Sequence, residues 1–237
     1  MTFLTSILKP LIAFLCITSI FALETDLYDF SWLDKDKEVY VLQNRKFRKI
    51  NRFYVTAGYG MTTSGSFVDA TSIQARAGYF FTENYGFEFV YSLNSGEENE
   101  AAKSVRSSSA GAGTIPFRRI VDGYYGAMFM WSPFYSKINT FNKIIYVDFL
   151  FGLGLATLTE TNNRDQFVTS DPFAAEVQES HTGILWNFGA KFFVNTSWSV
   201  RFDLNAVHYQ ALQARVNNPE DYIYSNFDLV GSLVYDL

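Results

Sequence analysis

Thiols, histidines and prolines are scarce in this chain of 237 residues, which has one cysteine, two histidines and five prolines. The single cysteine, Cys16, excludes an intrachain disulfide and a metal cluster built on cysteines. The charge balance of -5 at pH 7 excludes a broad basic surface, so we expect no nucleic-acid partner. With 48% hydrophobic and 18% aromatic residues, the chain is too apolar to be disordered.

Residues 1–22 predict a signal peptide for secretion. Lys9 supplies a positive charge, Leu11–Phe21 an apolar core and Ala22 a small residue at the cleavage point. The core is too short to cross a bilayer as a helix, which needs about 20 residues. Cys16 would also allow a lipoprotein, but Leu15 before it is bulky where that processing needs a small residue. Loss of Cys16 with the signal would suit an oxidising compartment.

Alternation of apolar and polar residues dominates the chain from Arg52 onward. Eight segments each carry one continuous apolar face, which predicts β-strands. Most have about 9 to 12 residues, close to the about 9–11 residues of a tilted membrane strand and longer than the about 5–6 of a typical globular strand. The predicted strands are Phe53–Met61, Ile73–Phe81, Tyr85–Leu93, Val121–Trp131, Ile145–Leu155, Ile184–Phe192, Trp198–Ala206 and Phe227–Leu237.

The connections differ in length in a way that predicts orientation. Three join successive strands at one end: Thr82–Asn84, Val194–Ser197 and Ser132–Lys143, the last with a break at Pro133. Longer polar segments join them at the other end: Thr62–Thr71, Asn94–Ile120, Glu160–His181 and Gln210–Ser225. Outer-membrane barrels keep their short turns on the periplasmic side. A soluble barrel would need many charges on its outer face, and here the face opposite the apolar one is glycine-rich and sparsely ionised.

The sequence therefore predicts an all-β protein, an eight-stranded antiparallel up-and-down transmembrane β-barrel of the outer membrane over residues 52–237. Residues 23–51 are predicted to form a periplasmic lead. Rings of amphipathic side chains mark the lipid interfaces of such barrels. The predicted aromatic girdle beside the short turns consists of Phe81, Tyr85, Trp131, Phe193, Trp198 and Tyr235.

Charged residues in phase with the polar face are expected to point into the lumen. They are Arg76, Glu88, Asp122, Asp148, Lys191, Arg201 and Asp203. They should pair, because an isolated buried charge is expensive. Arg76 and Glu88 are close to diagonal neighbours across the first short turn. The favoured interpretation is a plugged lumen, and the alternative is a narrow or gated porin-like channel for ions or small solutes.

Two further regions are candidates for binding. A basic segment precedes the first strand and consists of Arg45, Lys46, Arg48, Lys49 and Arg52. It is expected to contact anionic headgroups or, more specifically, an envelope protein in the periplasm. The long outer segments are predicted to bind an external ligand or a cell-surface partner: Asn94–Ile120, which contains Glu97, Glu98 and Glu100, and Glu160–His181, which is acidic.

The sequence predicts no enzymatic activity, no cofactor and no metal site. Catalysis would need a base and a nucleophile within reach of each other, and the only histidines are His181 and His208. Outer-membrane lipid deacylases place a serine two residues after the histidine, whereas those positions here hold Gly183 and Gln210. The predicted role is therefore a structural or interaction anchor embedded in outer-membrane lipid.

A family resemblance agrees with this interpretation. Residues Glu38–Lys49, the turn Pro133–Lys137 and the Asp148 strand with Gly152 and Gly154 resemble a small outer-membrane β-barrel family. That family is known mainly from predatory and gliding Gram-negative bacteria, and the resemblance runs from Glu38 to the C-terminus. It implies an integral outer-membrane barrel. Some members belong to envelope-spanning motility complexes, and most have no defined activity.

Overall fold

The computed structural model describes residues 45–63, 65, 67–107, 116–140, 143–169, 173–215 and 220–237. The chain divides into two units, Met1–Asn44 and Arg45–Leu237, and the described residues all belong to the second. The predicted signal peptide at residues 1–22 and the first part of the predicted lead, residues 23–44, lie outside the described residues.

Eight antiparallel strands form a closed ring in chain order. They are β1 (Arg52–Thr63), β2 (Val68–Phe80), β3 (Tyr85–Glu98), β4 (Arg119–Thr140), β5 (Lys143–Asn162), β6 (Val177–Phe193), β7 (Trp198–Leu212) and β8 (Asp221–Asp236). Each strand pairs with the next, and β8 closes the ring on β1 from Tyr54↔Asp236 to Thr63↔Phe227. The predicted eight-stranded up-and-down barrel is confirmed.

The apolar face of the ring points outward. On β1, the side chains of Phe53 and Tyr59 are exposed, while Tyr54 and Thr56 between them are buried. Across the barrel, large apolar side chains cover the outside, which is the reverse of a water-soluble protein. The buried interior combines polar and charged side chains with an apolar cluster that includes Met128, Leu150 and Leu185. This arrangement matches a lipid-facing outer wall around a polar interior.

Two short helices lie in the longer connections. The first, α1 (Glu100–Ser107), follows β3, and Asn99 caps its N-terminus by accepting a hydrogen bond from the backbone N–H of Ala102 at 3.0 Å. The second, α2 (Arg164–Thr169), follows β5. Within the described ranges, no helix has the length and apolar character needed to cross a membrane.

The connections at the two ends of the barrel are unequal. Residues 81–84, 141–142 and 194–197 link strands at one end, and residues 64–67, 99–118, 163–176 and 213–220 link them at the other. In outer-membrane barrels the end with the short connections faces the periplasm, and we call it the periplasmic end. The outer segments are shorter than predicted, because each strand continues past its last apolar lipid-facing residue. The added strand residues are polar, so the alternation of apolar and polar residues does not reveal them.

The predicted break at Ser132–Lys143 is wrong. β4 continues to Thr140 and pairs with β5 as far as Thr140↔Lys143. The register shifts between Trp131 and Phe134, so Pro133 lies in a bulge, where its missing N–H costs no ladder hydrogen bond. The result is a strand pair that extends beyond the other periplasmic turns.

Glycine on β5 permits close contact between strands. A Cβ atom at Gly154 would lie 2.0 Å from the carbonyl oxygen of Ala127 on β4. Only a residue without a side chain fits at that point.

Candidate functional site

Four charged side chains bridge the middle of the lumen, and we call them the central quartet: Arg76, Glu88, Arg201 and Asp203. Arg76 Nη1 lies 2.9 Å from Glu88 Oε1, and Arg201 Nη1 lies 2.5 Å from Glu88 Oε2. Asp203 Oδ1 lies 2.7 Å from Arg201 Nε and 3.6 Å from Arg76 Nη1. Because β3 and β7 are four strands apart in a ring of eight, the Glu88–Arg201 pair spans opposite walls.

Neutral polar groups add hydrogen bonds around the quartet, although Arg76 Nε and Asp203 Oδ2 have no hydrogen-bond partner among the described residues. The Tyr54 hydroxyl donates to Glu88 Oε2 at 2.5 Å, and Asn187 Nδ2 donates to Asp203 Oδ1 at 2.8 Å. Arg76 Nη2 donates to Gln74 Oε1 at 2.7 Å and to Asn205 Oδ1 at 3.0 Å. Two cations and two anions, each nearly or fully inaccessible to solvent, therefore form a charge-balanced unit.

A second bridge lies on the outer side of the quartet. The carboxylate of Asp228 on β8 accepts a hydrogen bond from the Tyr124 hydroxyl on β4 at 2.5 Å and one from Gln74 Nε2 at 2.9 Å. Asn226 Nδ2 donates to its other oxygen at 2.8 Å. Like β3 and β7, strands β4 and β8 are opposite in the ring, so this bridge also crosses the lumen.

The outer mouth is closed around Glu160. Arg119 Nη1 lies 2.9 Å from Glu160 Oε1, and the Tyr209 hydroxyl donates to Glu160 Oε2 at 2.7 Å. His181 Nε2 lies 3.3 Å from Glu160 Oε1 and 3.6 Å from Glu179 Oε2, and these three are the group of described residues whose spacing suits a metal ion. Each carboxylate already has an arginine partner, since Arg164 Nη2 lies 2.9 Å from Glu179. The group is therefore neutralised by the chain's own cations.

The periplasmic end is closed by a residue of the basic segment. Lys49 is buried, and its Nζ donates to Asp148 Oδ2 and, at 2.5 Å, to Ser132 Oγ. Ser132 Oγ in turn donates to Asp148 Oδ1 at 2.7 Å. Burial lowers the pKa of Lys49 from 10.5 to about 8, although the Asp148 carboxylate beside it acts in the opposite direction. Lys191, predicted to face the lumen, pairs there with Asp236 at 2.6 Å.

The rest of the basic segment lies against the periplasmic rim. Phe47 is buried, and its ring stacks on Phe193 with centroids 4.8 Å apart. Arg45 Nη2 donates to Asn84 Oδ1 at 3.0 Å in the first short turn. The other basic side chains, those of Lys46, Arg48 and Arg52, are exposed. Lys49 is thus the one member of the predicted segment that belongs to the lumen instead of the exposed rim.

Two predicted site residues lie on the other face of the sheet. Asp122 sits where the register shifts between Val121 and Gly123, and it accepts a hydrogen bond from the outward-facing Thr161 at 2.7 Å. Phe193 continues the inward row of β6 and packs on Phe47, so it does not belong to a lipid-facing girdle. The other predicted girdle residues are exposed on the outer face: Phe81, Tyr85, Trp131, Trp198 and Tyr235.

The sequence prediction also missed several lumen residues. Tyr54, Tyr124, Glu160 and Asp228 all lie in the inward row of their strands, and strict alternation extended along the strands would have identified them. Lys49 gave no such signal, because it precedes β1.

His208 has a serine partner that the sequence did not reveal. Pairing of β7 with β8 places Ser225 opposite it, with His208 Nδ1 2.7 Å from Ser225 Oγ. Trp186 Nε1, which can only donate, bonds to His208 Nε2 at 2.8 Å. A neutral ring then carries its proton on Nδ1 and donates to the serine, so it cannot act as the base that activates it.

The closed ring with its apolar exterior and polar, bridged interior defines an integral outer-membrane β-barrel protein. The family model described as "Outer membrane protein beta-barrel domain" matches residues 43–234, and the chain belongs to this family. Its place in the outer membrane, embedded in lipid, follows from that membership and agrees with the prediction. The assignment to predatory and gliding bacteria stays a prediction.

Several solved barrels are similar to the chain. The N-terminal β-barrel domain of OprF from Pseudomonas aeruginosa has 10% identity and a TM-score of 0.46, covering 79% of this chain and 98% of that one. Neisserial surface protein A has 13% identity and a TM-score of 0.46, covering 77% and 96%. OprG from Pseudomonas aeruginosa has 9% identity and a TM-score of 0.48, covering 81% and 98%. No curated protein matches the chain.

Proposed function

We propose that this protein is a sealed outer-membrane barrel that serves as a rigid anchor and does not conduct. The observation that carries the proposal is the Glu88–Arg201 ion pair, which joins opposite walls at the centre of the lumen. Its binding tasks then fall to the two rims, where the outer segments and the basic segment lie. Some members of the family that the sequence resembles belong to envelope-spanning motility complexes, which supports this role.

The dimensions of the barrel support a seal. An eight-stranded barrel has an interior just wide enough for side chains to fill. Here the Asp228 and Glu160 clusters block it on the outer side of the quartet, and Lys49 with Asp148 blocks it on the periplasmic side. A permeating ion would have to separate buried, hydrogen-bonded charges. Leaving a buried charge without its partner costs about 3–5 kcal/mol.

The second candidate is a narrow, gated channel. One observation favours it: Lys49, which bridges to Asp148 in the lumen, lies in the segment before β1 and not on a strand of the barrel wall. A displacement of that segment would remove the periplasmic bridge without breaking any strand pairing. Residues 45–51 would then be the gate.

Conductance in planar bilayers separates the two functions. We expect the full-length mature protein to give no current steps above those of an empty bilayer. Because the Asp228, Glu160 and Lys49 bridges also block the lumen, we expect a steady conductance only when Glu88→Ala and Arg201→Ala are combined with Asp228→Ala, Glu160→Ala and Lys49→Ala. Lys103→Ala, on the exposed helix α1, is the matched control and should stay silent. Steps in the unmodified protein that Lys49→Ala locks open would overturn the seal and support the gate. The shift between unboiled and boiled samples on a gel verifies that each variant has folded.

We also propose that the protein is not an enzyme. The proton on His208 Nδ1 points at Ser225, so the serine lacks a base. Hydrolysis of phospholipid or ester substrates that disappears in Ser225→Ala would overturn this proposal.

A further inference from the structure

The β4–β5 pair forms a hairpin below the periplasmic rim, and we call its strands Phe134–Thr140 and Lys143–Phe149 the periplasmic hairpin. Pairing of β3 with β4 stops at Tyr85↔Trp131, and Ser132 donates its N–H to Asn84 at 2.7 Å. From Phe134 to Thr140, β4 therefore pairs with β5 alone. Within the described ranges, no other backbone–backbone hydrogen bond reaches this stretch, and the Phe47 N–H donates to the Tyr135 side-chain hydroxyl at 3.4 Å. Such an open edge is a template for another strand.

The two faces of the edge differ in chemistry. Phe134 and Ile138 point to the outer face and are 58% and 44% exposed. Lys137 points to the opposite face, where its Nζ lies 5.9 Å from the centre of the Tyr146 ring. Lys46 of the basic segment joins it, with its Nζ 5.4 Å from the same ring. Among the described residues, neither lysine has a carboxylate partner, although the chain as a whole is acidic.

We propose that the open edge of the periplasmic hairpin binds an extended, acidic segment of a periplasmic protein by strand addition. Successive side chains of an added strand point to opposite faces. One set would meet the cations Lys46 and Lys137, and the other would meet Phe134 and Ile138. The recognised segment therefore alternates acidic and apolar residues. The inference rests on the proposed anchor role but not on the sealed lumen, so a conducting barrel would refute the seal and leave this binding test unaffected.

The test uses the mature protein in a neutral detergent and a fluorescent peptide of alternating Glu and Val, as long as Phe134–Thr140. Fluorescence anisotropy measures its binding. Two further peptides carry N-methyl groups on all the Glu or on all the Val residues. Because alternate N–H groups of a strand point the same way, one of these peptides should bind about ten-fold or more weakly and the other about as well as the parent. A peptide with the same residues in two blocks should also bind weakly.

Charge variants test the cationic face. Lys137→Gln should weaken binding about two- to five-fold, as expected for an exposed ion pair. Lys103→Gln at the opposite end of the molecule is the matched control and should have no effect. Equal binding of the two N-methylated peptides, or of the block peptide and the parent, would overturn the proposal.

The proposal would also be overturned if either of two other occupants covered the open edge of the periplasmic hairpin. If lipid headgroups cover the hairpin, the peptide will not bind, and Lys137→Gln will lower only the association with vesicles that contain phosphatidylglycerol. If a second copy covers it, the protein will form a dimer that excess peptide does not dissociate. In each case the gel shift of the unboiled sample verifies that the barrel is folded.

Discussion

Removing one charge from the central quartet should strongly destabilise the barrel. Glu88→Gln keeps the size of the side chain and its acceptor for the Tyr54 hydroxyl, so no cavity is created. It leaves two buried arginines, Arg76 and Arg201, with the single carboxylate of Asp203. The side-chain exposures of Glu88, Arg76 and Arg201 are 0%, 0% and 1%, so water cannot replace the lost partner. Loss of one partner from a buried ion pair costs about 3–5 kcal/mol, and we expect a decrease of that size.

This change is measured by urea unfolding of the protein in detergent. Tryptophan fluorescence and the gel shift report the unfolded fraction. A second substitution, Arg201→Met, restores the balance of one cation to one anion. We expect the double variant to be about 1–3 kcal/mol more stable than Glu88→Gln alone. Glu100→Gln, whose side chain is 91% exposed, is the control and should change stability by less than about 0.5 kcal/mol. A cost below about 1 kcal/mol for Glu88→Gln, or no rescue in the double variant, would refute the paired, desolvated quartet.

Two further predictions concern the buried lysine and the glycine of β5. The pKa of Lys49 is about 8 in the fold and 10.5 in the unfolded chain, so the unfolded state binds more protons between these values. Stability should therefore rise with pH from about 8 to about 10.5, by about 3 kcal/mol in total, and Lys49 should cause no further change below about pH 8, where both states are protonated. Lys49→Met should abolish this rise in urea midpoints, and an unchanged rise would contradict the burial of Lys49. Gly154→Ala should cost about 1–3 kcal/mol because its Cβ would meet the Ala127 carbonyl, whereas Gly231→Ala meets Phe202 at an ordinary 3.6 Å and should be tolerated. Equal urea midpoints for the two alanine variants would contradict the close approach of β4 and β5.

The parts of the structure that follow from period-two alternation could be predicted from the sequence. The strand count, the closed topology and the inward position of Arg76 and Glu88 all depend on which residues share a face. A short turn also fixes which residues are neighbours across a hairpin, so the contact between Arg76 and Glu88 needed no long-range information. Local pattern and local geometry were sufficient there.

Bulges limited the prediction elsewhere. One extra residue in a strand reverses the face of the residues around it. The shift at Val121 and Gly123 places Asp122 outside, and the shift at Trp131 and Phe134 lets β4 continue through Pro133. Neither bulge has a sequence signal strong enough to separate it from an ordinary strand or a break.

Contacts across the lumen could not be predicted either. The Tyr124–Asp228 hydrogen bond joins residues 104 positions apart, and the Lys49–Asp148 pair joins residues 99 positions apart. Alternation shows that a side chain points inward. It does not show how far along the barrel axis the side chain lies, or which residue it contacts on the opposite wall. Those depend on the tilt and stagger of the closed ring.

Strand length indicates which parts of the barrel lie outside the membrane, where the proposed anchor would bind a partner. At about 3.3 Å per residue and a tilt of about 45°, the 12 residues of β1 span about 28 Å, close to the hydrocarbon thickness of about 30 Å. The 22 residues of β4 span about 51 Å on the same terms, so about 20 Å of this strand lies outside the hydrocarbon. At the periplasmic end this surplus is the hairpin with Phe134, Lys137 and Ile138. A barrel that only had to sit in the membrane would gain nothing from such an extension, because an unpaired strand edge in water invites unwanted pairing. The partner proposed above would complete this edge and remove that liability.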